Sequence, residues 1–109
     1  MHEMAITQEI VEILRRRAGD RRVRRVVLEI GKLSAVMPEA VRFCFDLCVE
    51  GTPAEGAELE ILEPAGRGRC RLCGGEVVLE RPFGRCACGS TDLDWISGEE
   101  LKVREMEVA

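Results

Sequence analysis

Near the start of the chain Ile6, Ile10, Ile13 and Leu14 fall on one face at helical spacing together with Arg17, while Gln8, Glu9, Glu12 and Arg16 lie largely elsewhere. This predicts an amphipathic helix over residues 4–18, stopped at Gly19. The period then changes to two. Val26, Leu28 and Ile30 alternate with Val27 and Glu29, a strand over residues 23–33 in which Gly31 marks a bulge or bend. Pro38 opens a second helix, because proline suits the first helical position. Along it Val41, Cys44, Phe45 and Cys48 repeat at helical spacing, and Ala40, Phe43 and Leu47 widen the apolar surface, so it is expected to be largely buried and to end near Gly51. Leu59 and Ile61 alternate with Glu58, Glu60 and Leu62 in a strand over residues 57–63. Pro64-Ala65-Gly66-Arg67-Gly68 reads as a hinge, and Ser97-Gly98 as the returning one. Between them, Val77-Val78-Leu79 and Leu93-Asp94-Trp95-Ile96 read as short strands, with Trp95 covering a small core. Leu101, Val103, Met106 and Val108 form a final strand whose alternation changes phase across Arg104-Glu105, as a β-bulge would allow.

The order helix, strand, helix, strand, insert, strand predicts an α+β fold: a three-stranded sheet with two helices, plus an inserted zinc-ribbon subdomain. Residues 1–65 and 97–109 would form one domain and residues 66–96 the other. The insert is read from its cysteines. Cys70-Arg71-Leu72-Cys73-Gly74 and Cys86-Ala87-Cys88-Gly89 are two knuckles able to place four thiolates around one zinc ion at about 2.3 Å each. Sulfurs so held lie about 3.8 Å apart, closer than alternate side chains of an extended strand, so the C-x-C piece has to bend to chelate. Four thiolates close the coordination sphere, which suits a structural and not a catalytic ion. A redox dithiol at Cys70 and Cys73 is the other chemistry these residues offer. Cys44 and Cys48 sit in an apolar stripe, where a thiol acts as a small hydrophobe, although an i, i+4 thiol pair also has metal-binding spacing.

The 109 residues bound the chain to one domain, or one with an insert, and the formal charge is −4. Four thiolates and a zinc ion would take it to about −6, against the basic footprint of a general nucleic-acid binder. Seven arginines fall between residues 15 and 25. They read as a solvated helix end and loop, or as a docking surface for an acidic partner, and no aromatic residue stands among them to stack on bases. Neither a signal peptide nor a membrane span is evident, so a cytoplasmic protein is expected. The single histidine, His2, excludes a hydrolytic triad within the core. It belongs instead to Met1-His2-Glu3, where the α-amino group, the imidazole, the His2 and Glu3 amide nitrogens and the Glu3 carboxylate are packed into three residues. Nitrogen-rich square-planar sets suit Ni(II) or Cu(II). An untethered terminus is the plainer reading.

Taken together, the chain resembles the HypA/HybF family of hydrogenase maturation nickel metallochaperones. The resemblance rests on Met1-His2-Glu3, Ile30-Gly31-Lys32-Leu33-Ser34, Phe43-Cys44-Phe45-Asp46, Ala54-Glu55-Gly56-Ala57, Cys70-x-x-Cys73 and Cys86-x-Cys88-Gly89-Ser90. It covers essentially the whole chain and departs from the family at the second knuckle, where C-x-x-C is usual. It implies a non-enzymatic carrier with Ni(II) held at Met1, His2 and Glu3, His2 being the essential ligand and Glu3 supplying a backbone nitrogen. It also implies structural Zn(II) on Cys70, Cys73, Cys86 and Cys88. Nickel would pass to the large subunit of a [NiFe] hydrogenase, with the nickel-handling GTPase of the same pathway as partner, a homodimer being conceivable and neither nucleic acid nor membrane involved. The alternative is a zinc-ribbon module recognising protein or nucleic acid through its arginines.

Overall fold

The computed structural model describes residues 2–109. Its elements, in order, are α1 (His2–Ala18), β1 (Val23–Ile30), α2 (Pro38–Cys48), β2 (Glu58–Leu62), β3 (Gly66–Cys70), β4 (Glu76–Leu79), β5 (Leu93–Ser97) and β6 (Leu101–Val108). They form two compact units. The first comprises the chain through Glu29, Val36–Leu62 and Lys102–Ala109; the second comprises Ile30–Ala35 and Glu63–Leu101.

In the first unit the sheet order is β2-β1-β6. β1 and β2 run parallel, Arg25 opposite Glu58 through Glu29 opposite Leu62, and the crossover that parallel strands require is supplied by α2. Central placement explains why Val26, Val27 and Leu28 are all buried in succession. Leu14, Val41 and Phe45 join them in the core. α1 starts earlier than its apolar spacing predicts and is rotated from the expected face. Thr7, Ile10, Val11, Leu14 and Ala18 are buried, whereas Ile13 and Arg17 are exposed. Thr7 can be enclosed because its hydroxyl donates to the Glu3 carbonyl oxygen at 2.6 Å, leaving no unsatisfied polar group. α2 is less buried than expected: Val41, Cys44 and Phe45 face inward, but Phe43 and Leu47 are 67% and 50% exposed.

The second unit contains the antiparallel sheet β4-β3-β5. Its central strand is a correction to the sequence reading, because Gly66, Arg67 and Gly68 lie in β3 and not in a hinge. A side chain at Gly66 would come within 2.4 Å of the Leu79 carbonyl oxygen, and one at Gly68 within 3.1 Å of the Leu79 Cδ1. These glycines admit close neighbours. Ile30, Leu33 and Leu79 are buried in this unit, and Trp95, expected to cover its small core, is 38% exposed. Ile30–Ala35 is tied into the same unit by main-chain bonds: Gly31 N–H donates to Glu100 O, Lys32 N–H to Pro64 O and Leu33 N–H to Gly98 O, at 2.7, 3.0 and 2.7 Å. Both supposed hinges are therefore braced.

Candidate metal centre

β3 carries Cys70 to the end of its buried face, and the chain then turns at once. The turn is closed by Cys70 N–H donating to Gly75 O and Gly74 N–H donating to Cys70 O, at 2.8 and 2.9 Å, with Gly74 at φ 77°. The second knuckle repeats this scheme one residue shorter. Cys86 N–H donates to Ser90 O and Gly89 N–H to Cys86 O, both at 2.8 Å, with Gly89 at φ 97°. Positive φ is readily adopted by glycine, so each knuckle turns back on itself without Cβ strain. The shortened C-x-C segment thus bends as chelation requires.

The sulfurs of Cys70, Cys73, Cys86 and Cys88 all lie within 4.8 Å of one another. Cys70 Sγ is 3.6 Å from Cys88 Sγ, and Cys73 Sγ is 3.5 Å from Cys86 Sγ, close to the spacing of about 3.8 Å set by tetrahedral zinc–sulfur bonds of about 2.3 Å. The backbone N–H of Cys73, followed by that of Leu72, holds the Cys70 thiol down at about 6. At Cys88 the Ser90 N–H favours the thiolate, yet the neighbouring Cys70 and Cys86 sulfurs outweigh it and push the thiol up to about 11. One thiolate forms easily; four crowded thiolates require a cation, which is the behaviour of a metal-binding set. The site is half enclosed, with Cys70 and Cys86 buried and Cys73 and Cys88 exposed.

Its scaffold is cross-linked. The Arg71 guanidinium pairs with Asp94 at 2.6 Å and its backbone N–H donates to Asp92 O, while the Arg85 guanidinium donates to Gly89 O at 2.7 Å. Arginines flanking the cysteines thus hold the two knuckles in shape, a role their spacing in the sequence does not announce.

The amino-terminal residues are arranged differently. Met1 lies outside the described residues, and His2 and Glu3 form the first turn of α1. A Glu3 carboxylate oxygen accepts the Met37 N–H at 3.2 Å, just where α2 begins. That bond holds the Glu3 carboxyl below its usual range. The partner residue, Met37, could have been suspected only from its place as the N-cap before Pro38. The arginine cluster is partly committed to local partners: Arg15 and Arg16 to Glu12, Arg25 to Glu60 and Glu107, and Arg22 to the Glu55 carbonyl oxygen.

Fold and site together define a small α+β metal-binding protein with a four-cysteine centre of the zinc-ribbon type. A family model described as "Hydrogenase/urease nickel incorporation, metallochaperone, hypA" matches residues 1–108. The hydrogenase maturation factor HypA of Nostoc punctiforme is 62% identical over 108 residues, covering 99% of this chain and 96% of that protein. The factor of the same description from Geobacter metallireducens is 51% identical over 109 residues, covering 99% of each. Among solved structures, the solution structure of the Ni metallochaperone HypA from Helicobacter pylori shares the fold, with a TM-score of 0.66 at 20% identity, covering 97% of this chain and 96% of that one. The chain belongs to the HypA family of hydrogenase maturation factors, a metallochaperone family and not an enzyme family. Among the described residues no helix is long and apolar enough to cross a membrane.

Proposed function

We propose that the chain binds Ni(II) at its amino terminus and delivers it during hydrogenase maturation, while Cys70, Cys73, Cys86 and Cys88 hold a structural Zn(II). The observation that carries this reading is the family match, which begins at the first residue and runs to residue 108. The Met1 α-amino group, the His2 imidazole and the His2 and Glu3 amide nitrogens would form the nickel set, in the nitrogen-rich geometry that Ni(II) favours. The start of α1 supports this. The first N–H groups of a helix have no intrahelical acceptor, so ligation by the His2 and Glu3 nitrogens breaks no helix hydrogen bond. The Glu3 carboxylate, fixed on Met37, anchors the turn instead of reaching for the ion.

Nickel would pass to the large subunit of a [NiFe] hydrogenase, with the nickel-handling GTPase of that pathway as partner. A terminal, open set of donors suits transfer, since a receiving site can approach from solvent. The test is nickel titration of the zinc-loaded protein with its native first residue, beside His2→Ala and a variant extended by one residue before Met1. One-to-one binding lost in both variants, with zinc retained, is the expected result. Unchanged nickel affinity in both would place the cargo elsewhere and end the amino-terminal reading.

A further inference from the structure

The first unit holds a second group of sulfurs. Cys48, the last residue of α2, places its Sγ 3.6 Å from the Sδ of Met4 on α1. That distance matches the 3.6 and 3.5 Å separating sulfurs in the four-cysteine centre. Cys44 lies one helical turn before Cys48, and residues at i and i+4 are neighbours on a helix surface. Cys44 is 3% exposed, while Cys48 is only half-buried. Met4 and Cys48 line a groove of about 410 Å³ between the two helices, with Gln8, Val11, Leu47 and Thr52 among its other walls. The groove, which Glu12 and Arg15 also line, gives an ion a path to the sulfurs of Met4 and Cys48, while Cys44 is not among its walls.

We infer that Met4, Cys48 and Cys44 form a binding site for a soft monovalent metal ion of the Cu(I) class. Two thiols and a thioether are a soft donor set, which selects Cu(I) over the harder divalent ions. A closed-shell Cu(I) ion imposes no square plane and is satisfied by two or three sulfurs. Each thiolate–metal bond releases one proton to solvent, and no electron is transferred. The site is distinct from the four zinc-ribbon cysteines and from the amino-terminal nitrogens, so it stands whether or not nickel binds at His2. In chemical terms the chain would sort metals, with soft ions drawn to sulfur between the helices and borderline ions left to nitrogen.

Silver(I), a redox-inert stand-in for Cu(I), provides the test on the full-length zinc-loaded protein under anaerobic conditions. Zinc release is followed with a chromogenic chelator while the methionine ε-methyl groups are observed by carbon-13 NMR. The first equivalent is expected to bind without releasing zinc and to shift the Met4 methyl resonance while those of Met37 and Met106 stay in place. Met4→Leu, which keeps the volume of the side chain, and Cys48→Ser should each lose this first equivalent, whereas His2→Ala should retain it. Zinc release by the first equivalent, an unmoved Met4 resonance, or binding unchanged in Met4→Leu overturns the proposal. Met4→Leu keeps the test valid if Cys48→Ser does not fold.

Discussion

The four-cysteine centre and the amino-terminal turn make opposite uses of the backbone. At the knuckles, main-chain N–H groups are consumed in closing two tight turns and in favouring thiolates, so the ligand geometry is inseparable from the fold around it. At the start of α1 the fold supplies the bond from the Met37 amide to the Glu3 carboxylate, and the helix itself provides no backbone acceptor for its first amides. A site built by many bonds retains its ion as part of the structure. The nickel set proposed at the amino terminus, built on donors the helix does not use, would be suited to giving its ion away.

Zinc removal tests this contrast most severely. A structural zinc site can supply on the order of 10 kcal/mol of folding free energy, and apart from the cysteines the second unit buries few large apolar side chains, Ile30, Leu33 and Leu79. A strong chelator should therefore abolish amide hydrogen-exchange protection in β3, β4, β5 and Ile30–Ala35 while α1 and α2 keep theirs. Persistent protection in β3 would show that the sheet stands without metal. Trp95, the only tryptophan in a chain without tyrosine, lies in the second unit and offers a fluorescence readout of the same event.

Phe45→Ala probes the other region. Phe45 is 1% exposed at the centre of the first unit, and removing a buried Phe side chain typically costs about 3–5 kcal/mol. Helical circular dichroism should melt at lower temperature while the Trp95 transition of the zinc-loaded protein holds. Equal shifts of both signals would show that the two units unfold as one.

Glu3→Gln should have the mildest effect. Its carboxylate is favoured by the Met37 N–H, so its stabilising contribution is present above the ordinary Glu value of about 4.3 and is lost as pH falls through the lower value in the folded state. Wild type and variant should accordingly differ above that range and converge in acid. A Glu3 carboxyl resonance titrating at or above the ordinary value would show that Met37 does not anchor it.

Much of this is legible in the residues. The change from helical to alternating spacing locates α1, β1, α2 and β2, and the spacing of the two cysteine pairs is enough by itself to locate the metal centre. β3 escapes because Gly66-Arg67-Gly68-Arg69-Cys70 has the alternation of a strand but places glycine where an apolar side chain would have signalled burial. Those glycines point inward because Leu79 occupies the space beside them. The face of α1 is misplaced for a similar reason: Thr7 counts as polar until its hydroxyl bonds the preceding turn. Phe43 and Leu47 mislead in the other direction, since apolar spacing alone does not limit how wide a stripe the neighbouring elements cover.

The main-chain bonds of Ile30–Ala35 bear on modularity. Cutting out Glu63–Leu101 as a cassette, or grafting it into another scaffold, would separate it from Ile30–Ala35, a segment contributed by a distant part of the chain. Without its partner segments, three consecutive amides, those of Gly31, Lys32 and Leu33, would lose their acceptors at Glu100, Pro64 and Gly98. The smallest transplantable form of the zinc-ribbon unit is therefore discontinuous, and recombination that respects it has to carry both pieces.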